Sequence, residues 1–157
     1  IAEERLPQNY QTKLSDSRTF AEALLTPTYI YSQLQKRLFE DGIDINYMVN
    51  ITGHGWRKLM RLKQDFTYRL HSIPKPQEEF EVIQKYGAVS DENMYSTFNM
   101  GAGFAFYVTP GDVAKVIQIS SETGFSSLDA GIVEPGPRQV IIEPKNITYS
   151  GDTLQIR

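Results

Sequence analysis

The stretch Thr97–Val108 constrains the fold of this chain most, because two glycines and a polar Thr/Asn pair stand directly before a strong strand pattern. From Ala102 onward the residues alternate with a period of two, which is typical of a β-strand with one packed face. The two faces hold Ala102, Phe104, Phe106 and Val108 on one side and Gly103, Ala105 and Tyr107 on the other. Gly101 and Gly103 lack a Cβ, so a ligand or another backbone can approach them closely.

A second glycine cluster lies upstream, at Asn50–Gly55, and it also follows an alternating run, Ile43–Ile51. The run favours an extended segment, with a short helix over residues 44–49 as the alternative. Two strand ends that carry glycines in one small domain predict one shared site. If the two clusters lay on opposite sides of the molecule with no hollow between them, this hypothesis would fail.

Length and composition predict one domain, or one domain plus an arm, since 157 residues can bury roughly 70% of the unfolded surface. The net charge of −3 shows no bias toward nucleic acid or anionic membrane, and no apolar run is long enough to span a bilayer. The absence of Cys excludes disulfides and thiolate metal sites and fits a cytoplasmic location. With two separated His, no metal site is predicted. The first residue is Ile, so we expect a fragment of a longer polypeptide, with residues 1–18 as a linker or arm.

The remaining pattern predicts an α+β domain over residues 19–157, with a mixed, mainly antiparallel sheet covered by helices. Helices are predicted from an N-cap at Thr28 to Asp41-Gly42 and from the residue after Gly55 through Lys63. Another is predicted over Phe80–Tyr86 with a C-cap at Gly87, followed by a helical turn over residues 91–95. The last predicted helix runs from Thr109 to Gly124, with Val113, Val116, Ile117 and Ser120 buried. Strands are predicted over Phe66–Leu70, Leu128–Ile132, Val140–Ile142, Ile147–Tyr149 and Leu154–Ile156.

The turn at Gly53, His54 and Gly55 is a candidate anion site, because free backbone N–H groups at the start of a helix attract negative charge. Arg57, Lys58 and Arg61 follow within two turns and would add positive charge. The alternative is a glycine turn followed by a solvated basic helix face. His54 has two readings as well, as a phosphate donor or acid/base group, or as an ordinary surface histidine.

Thr97 and Asn99 are candidates for binding a polar ligand. Their alternative role is to hold the neighbouring turn, because Asn and Thr side chains commonly bond to nearby backbone groups. No pattern in the sequence identifies a catalytic nucleophile.

Three ordered motifs resemble the C-terminal domain of the aminoimidazole ribonucleotide synthetase family, also called phosphoribosylformylglycinamidine cyclo-ligases. The motifs are Leu24-Leu25-Thr26-Pro27-Thr28-x-Ile30-Tyr31, Ile51-Thr52-Gly53-x-Gly55 and Thr97-Phe98-Asn99-Met100-Gly101-x-Gly103. The resemblance covers roughly residues 19–143 and is strongest in the third motif. It is weaker toward selenophosphate synthetase, thiamine monophosphate kinase and the hydrogenase maturation factor of the same superfamily.

The resemblance implies a three-layer α/β/α arrangement that is partly ferredoxin-like. It implies ATP-dependent ring closure of formylglycinamidine ribonucleotide in purine biosynthesis, in a homodimer. Most ATP and Mg²⁺ ligands would come from an N-terminal domain that this sequence does not include, so the isolated fragment should be inactive. The residues that the resemblance places in the substrate cleft are Thr52, Gly53, Gly55, Thr97, Asn99, Gly101 and Gly103, and the charge argument adds His54 and Arg57.

The chain departs from the family pattern around the second motif. Asn50 replaces a His, His54 replaces the middle Gly of a triple-glycine turn, and residues 59–62 replace an Asn-x-Pro-Arg segment. In the first motif, Tyr29 stands where a basic residue is common. These differences leave two alternatives open, a paralogue with another phosphorylated substrate and a non-catalytic binding or dimerisation module.

Overall fold

The computed structural model of the protein describes residues 1–154, which contain six α-helices and six β-strands. The helices are α1 (Ala2–Arg5), α2 (Phe20–Leu24), α3 (Ser32–Glu40), α4 (Glu78–Gly87), α5 (Asp91–Thr97) and α6 (Val113–Glu122). The strands are β1 (Ile45–Asn50), β2 (Phe66–Leu70), β3 (Phe104–Val108), β4 (Gly131–Pro135), β5 (Gln139–Ile142) and β6 (Ile147–Ser150). The strand predicted over Leu154–Ile156 lies largely outside the described residues.

The strands form two sheets rather than the single sheet that was predicted. One is the antiparallel pair β1–β3, and the other has the order β4-β2-β5-β6. In the larger sheet β2 and β5 are parallel, while the other two pairs are antiparallel. The α+β class and the mixed, mainly antiparallel strand pairing therefore agree with the prediction.

The main hydrophobic core lies between the two sheets and α5. It combines buried residues from β1, β2, α5, β5 and β6 with Trp56, Leu59 and Met60. Strand β3 has both faces packed, which corrects the expectation of one packed face. Tyr107 packs on the main core, whereas Phe106 packs on a separate cluster between α3 and α6. Burial on both faces ties the small sheet to the rest of the fold through the hydrophobic effect.

Helix α3 begins at Ser32, so the predicted N-cap at Thr28 is wrong. Residues 26–31 are not helical, and Tyr31 occupies the N-cap position. The Tyr31 ring packs against the rings of Phe104 and Phe125, with centroids 5.1 and 5.2 Å away. This tertiary contact fixes where the helix starts. The predicted end of α3 is correct, since Gly42 has a left-handed φ of +74°.

Other predicted helix details shift as well. The element after Gly55 is a 3-10 helix, Gly55–Met60, and it stops before Lys63. The left-handed C-cap of α4 is Ala88 rather than Gly87. In α6 the buried stripe includes Ile119 instead of Ile117. No helix within residues 1–154 is long and apolar enough to cross a membrane.

The N-terminal segment, predicted as a linker or arm, packs onto the domain. Leu6 and Leu14 are buried in a cluster with Phe20, and this cluster contacts α4. Arg5 donates hydrogen bonds to the carbonyls of Tyr86 and Gly87 at the end of α4. The segment is thus held by burial and by hydrogen bonds, while its continuation into a separate N-terminal domain stays a prediction.

Candidate ligand-binding site

The two glycine motifs lie side by side at one end of the β1–β3 sheet. Asn50 of β1 is paired with Phe104 of β3, directly before the upstream turn and directly after the downstream one. Just beyond the strands, the Ile51 N–H donates to the Gly103 carbonyl over 3.0 Å. The indole Nε1 of Trp56 donates to the Asn99 carbonyl over 2.7 Å. Strand pairing and one buried aromatic side chain therefore bring together two segments that are about fifty positions apart in the sequence.

Gly55 is buried against the end of α5 and has a left-handed φ of +55°. A Cβ at this position would lie 2.1 Å from the Tyr95 carbonyl oxygen and 2.6 Å from the Ser96 carbonyl carbon. The Gly55 N–H donates to the Thr52 carbonyl, so it is already paired. Glycine is needed here because the turn must pack on a helix, and this N–H does not contribute to an anion site.

Thr52, Gly53 and His54 form the exposed part of the turn. A Cβ at Gly53 would meet nothing within 4 Å. Within residues 1–154, neither the Gly53 nor the His54 N–H donates to a backbone carbonyl. These two N–H groups, the His54 side chain and the Thr52 hydroxyl, which also accepts from Lys58, are polar groups at the surface of the turn.

The Arg57 guanidinium is hydrogen-bonded to backbone carbonyls of the protein rather than directed into solvent. Its guanidinium donates to the carbonyls of Ser96 and Thr153 over 2.9 and 2.7 Å, and more weakly to that of His54 over 3.4 Å. A planar guanidinium has five N–H donors, so one side chain can join three segments. This geometry favours a structural role for Arg57 over the predicted phosphate contact.

Lys58 is the cation that reaches the exposed turn. Its Nζ donates a short hydrogen bond to the Thr52 Oγ1. Partial burial, with a further contribution from Arg61, lowers the pKa of Lys58 below its usual value. Lys58 stood in the predicted basic set but outside the predicted binding residues, because its sequence position does not show which basic residue faces the turn.

Asn99 holds its own turn. Its Oδ1 accepts from the Gly101 N–H over 3.1 Å, and its carbonyl accepts from the Ala102 N–H over 2.9 Å. Met100 and Gly101 have positive φ values of +46° and +91°. A Cβ at Gly101 would lie 2.9 Å from the Lys75 carbonyl oxygen. These contacts favour the turn-holding role for Asn99, while Thr97 is exposed at the last residue of α5.

The first sequence motif also reaches this place, through Tyr31. A Cβ built on Gly103 would fall 2.0 Å from the Tyr31 hydroxyl oxygen, so this hydroxyl lies directly over the glycine. Burial raises the pKa of Tyr31. The sequence alone did not mark Tyr31 as a site residue. The only available signal was that this tyrosine closes the first of the three motifs.

The predicted site residues do not line either of two cavities found elsewhere on the protein within residues 1–154. One is lined by Ser15, Lys75, Pro76, Gln77, Glu78 and Glu81, and the other by Ile117, Ser121, Gly124, Phe125, Ser126 and Ser127. The first cavity borders the Asn99 turn through Lys75, whose carbonyl faces Gly101. Within the same residues, no group of three or more His, Asp or Glu side chains is arranged to hold a metal ion.

No family model matches the chain. Curated phosphoribosylformylglycinamidine cyclo-ligases from several organisms do match it. The protein of Methanococcus maripaludis strain C7 is 38% identical over 124 residues, which are 79% of this chain and 35% of that protein. The protein of Methanocaldococcus jannaschii is 43% identical over 111 residues, or 70% of this chain and 32% of that protein. The protein of Methanopyrus kandleri is 36% identical over 130 residues, or 83% of this chain and 37% of that protein.

The fold and the sequence matches together define the class of protein: it is an α+β domain, and the relatives that match it are named as ligases. The particular family that the chain resembles in sequence is that of the phosphoribosylformylglycinamidine cyclo-ligases. The resemblance inferred from the three motifs is thereby confirmed. The chain spans about a third of the length of the curated relatives that it matches.

Proposed function

We propose that the chain is the C-terminal, substrate-side domain of an ATP-dependent cyclo-ligase that closes the imidazole ring of formylglycinamidine ribonucleotide in purine biosynthesis. The observation that carries the proposal is the meeting of all three sequence motifs at one end of the β1–β3 sheet. Trp56 bonds to Asn99, Ile51 bonds to Gly103, and Tyr31 covers Gly103. The names of the relatives supply the reaction, which comes to this chain as a proposal.

In this proposal the exposed turn at Thr52, Gly53 and His54 binds the ribonucleotide phosphate, with Lys58 supplying positive charge. Backbone N–H groups and a cation suit a phosphate group. The opposite wall consists of Thr97 and the turn from Asn99 to Gly103. Gly55 and Arg57 hold the two walls together through their contacts with α5.

The resemblance to the family implies that the remaining parts of the enzyme lie in a second domain. ATP would phosphorylate the amide oxygen of the substrate, an amidine nitrogen would attack the activated carbon, and the oxygen would leave as phosphate. ATP and Mg²⁺ would be held mainly by the N-terminal domain. That domain would complete a cleft around the two turns, since small-molecule sites are concave. We further propose a cytoplasmic homodimer with the three-layer, partly ferredoxin-like arrangement.

The test uses the longer polypeptide that carries this chain. Purified and folded, it should release ADP only when formylglycinamidine ribonucleotide is added, in equal amounts with the ring-closed product. The 157-residue chain alone serves as the control and should show no turnover. Absence of substrate-dependent ADP release from the folded longer protein would refute the proposal. In that case a thermal-shift screen would search for another phosphorylated ligand, which must raise the melting temperature of a protein that binds it.

A further inference from the structure

We infer that Tyr31 is a substrate-binding residue of this site, whose hydroxyl donates a hydrogen bond to an oxygen of the ribonucleotide. The inference rests on the proposed function. It deepens that function by adding a specific polar contact that the sequence motifs alone did not assign.

The Tyr31 ring is held rigidly at the site. It packs against Phe104, the residue after Gly103, and against Phe125, with centroid distances of 5.1 and 5.2 Å. Its backbone carbonyl accepts from the Gln35 N–H over 2.9 Å, which anchors it at the start of α3. A ring held between two others loses little further freedom when a ligand binds, so its hydroxyl is preorganised.

The fold does not use this hydroxyl. Among the side-chain hydrogen bonds of residues 1–154, none engages the Tyr31 hydroxyl. Tyr31 is half-buried, so its tip is not sealed inside the core. Because burial raises its pKa, the hydroxyl stays protonated near neutral pH and acts as a donor.

Gly103 is the counterpart of this hydroxyl. Any side chain at position 103 would occupy the space of the Tyr31 oxygen, since a Cβ would lie 2.0 Å from it and 3.0 Å from the Tyr31 Cζ. The observed position of the Tyr31 hydroxyl is thus compatible only with a glycine at position 103. A Phe at position 31 would pack equally well, so packing does not explain the hydroxyl oxygen of Tyr31, and we assign its role to ligand binding.

The experiment compares Tyr31→Phe with the matched control Tyr29→Phe in the longer polypeptide. Tyr29 also packs against Phe125, at 6.1 Å, but it is 66% exposed, and the atoms nearest to a Cβ at Gly103 belong to Tyr31. Tyr31→Phe should raise the KM for formylglycinamidine ribonucleotide about tenfold, the range of one lost hydrogen bond. The KM for ATP and the melting temperature should not change. Tyr29→Phe should behave as wild type in all these measurements.

The possible outcomes separate a failure of the proposed function from a failure of the inference about Tyr31. If the wild-type longer polypeptide releases no ADP with this substrate, the proposed function falls and the inference falls with it. If wild type turns over and Tyr31→Phe keeps the wild-type KM, only the inference is refuted. Gly103→Ala provides a second route, because it displaces the hydroxyl while Tyr31 is retained. It should raise the same KM, and adding Tyr31→Phe to it should have little further effect on KM, whereas independent effects of the two changes would refute the inference.

Discussion

The two glycines of the Thr52–Gly55 turn should respond very differently to alanine. Gly55→Ala forces a left-handed backbone on alanine, which costs about 1–2 kcal/mol. It also places a Cβ within 2.1 Å of the Tyr95 carbonyl oxygen. That contact is with backbone, which cannot move aside as a flexible side chain can, and overpacking of this kind costs about 1–3 kcal/mol. We therefore expect a loss of about 3 kcal/mol in the free energy of unfolding.

Gly53→Ala is the matched control two residues away, since its Cβ would meet nothing within 4 Å. It should change the free energy of unfolding by less than about 0.5 kcal/mol, as exposed substitutions usually do. The loss at Gly55 corresponds to a fall in melting temperature of roughly 6–12 °C for a domain of this size.

Urea denaturation followed by tryptophan fluorescence measures both variants. Trp56 is the only tryptophan, and it lies next to the turn and bonds to Asn99. The signal therefore reports on the region that is changed. Equal stability of the two variants would refute the packing argument, and so would a wild-type value for Gly55→Ala.

Two further predictions concern charged groups. Arg57→Ala should lower the free energy of unfolding, measured by urea titration, by about 2 kcal/mol, the range for hydrogen bonds from a charged donor. Arg57→Lys should recover only part of this loss, because an ammonium group cannot reproduce the planar, multiple-donor geometry of the guanidinium. Full recovery by lysine would contradict the role of the three carbonyl contacts. The Gln84 amide and the Lys145 ammonium, which lies 3.0 Å away, hold the pKa of Asp91 below its ordinary value. Asp91 therefore contributes stability that is fully present above the ordinary pKa of an aspartate and is lost as the pH falls through the lowered pKa. Asp91→Asn should make the acid fall of the unfolding free energy shallower, and an unchanged slope would show that Asp91 is not involved.

Local patterns in the sequence predicted much of the fold. The alternating runs gave strands β1, β2 and β3, and Gly42 marked the end of α3. These features depend on neighbouring residues, because side-chain alternation and a left-handed cap are properties of a short backbone segment. Local rules failed where a distant contact competed with them. Thr28 fits the N-cap rule, but the Tyr31 ring packs on Phe104 and Phe125, and the helix starts later.

The candidate site was predicted only in part. The motifs predicted which segments would form it, and the structure brings those segments together. Residue type did not reveal that Arg57 is bound to backbone carbonyls while Lys58 reaches the Thr52 hydroxyl. Both are basic residues of one short segment, and only the position of the Ser96 and Thr153 carbonyls separates their roles.

The sequence by itself determined the family resemblance, the strand-forming segments and the glycine turns, because these follow from short patterns of residue type. Only the tertiary structure decided which glycine is packed, which cation faces the turn, and that Tyr31 lies over Gly103. The physical reason is that these choices depend on contacts between residues that are far apart in the chain. Such contacts are set by the joint packing of β1, β3 and α5 rather than by any one segment.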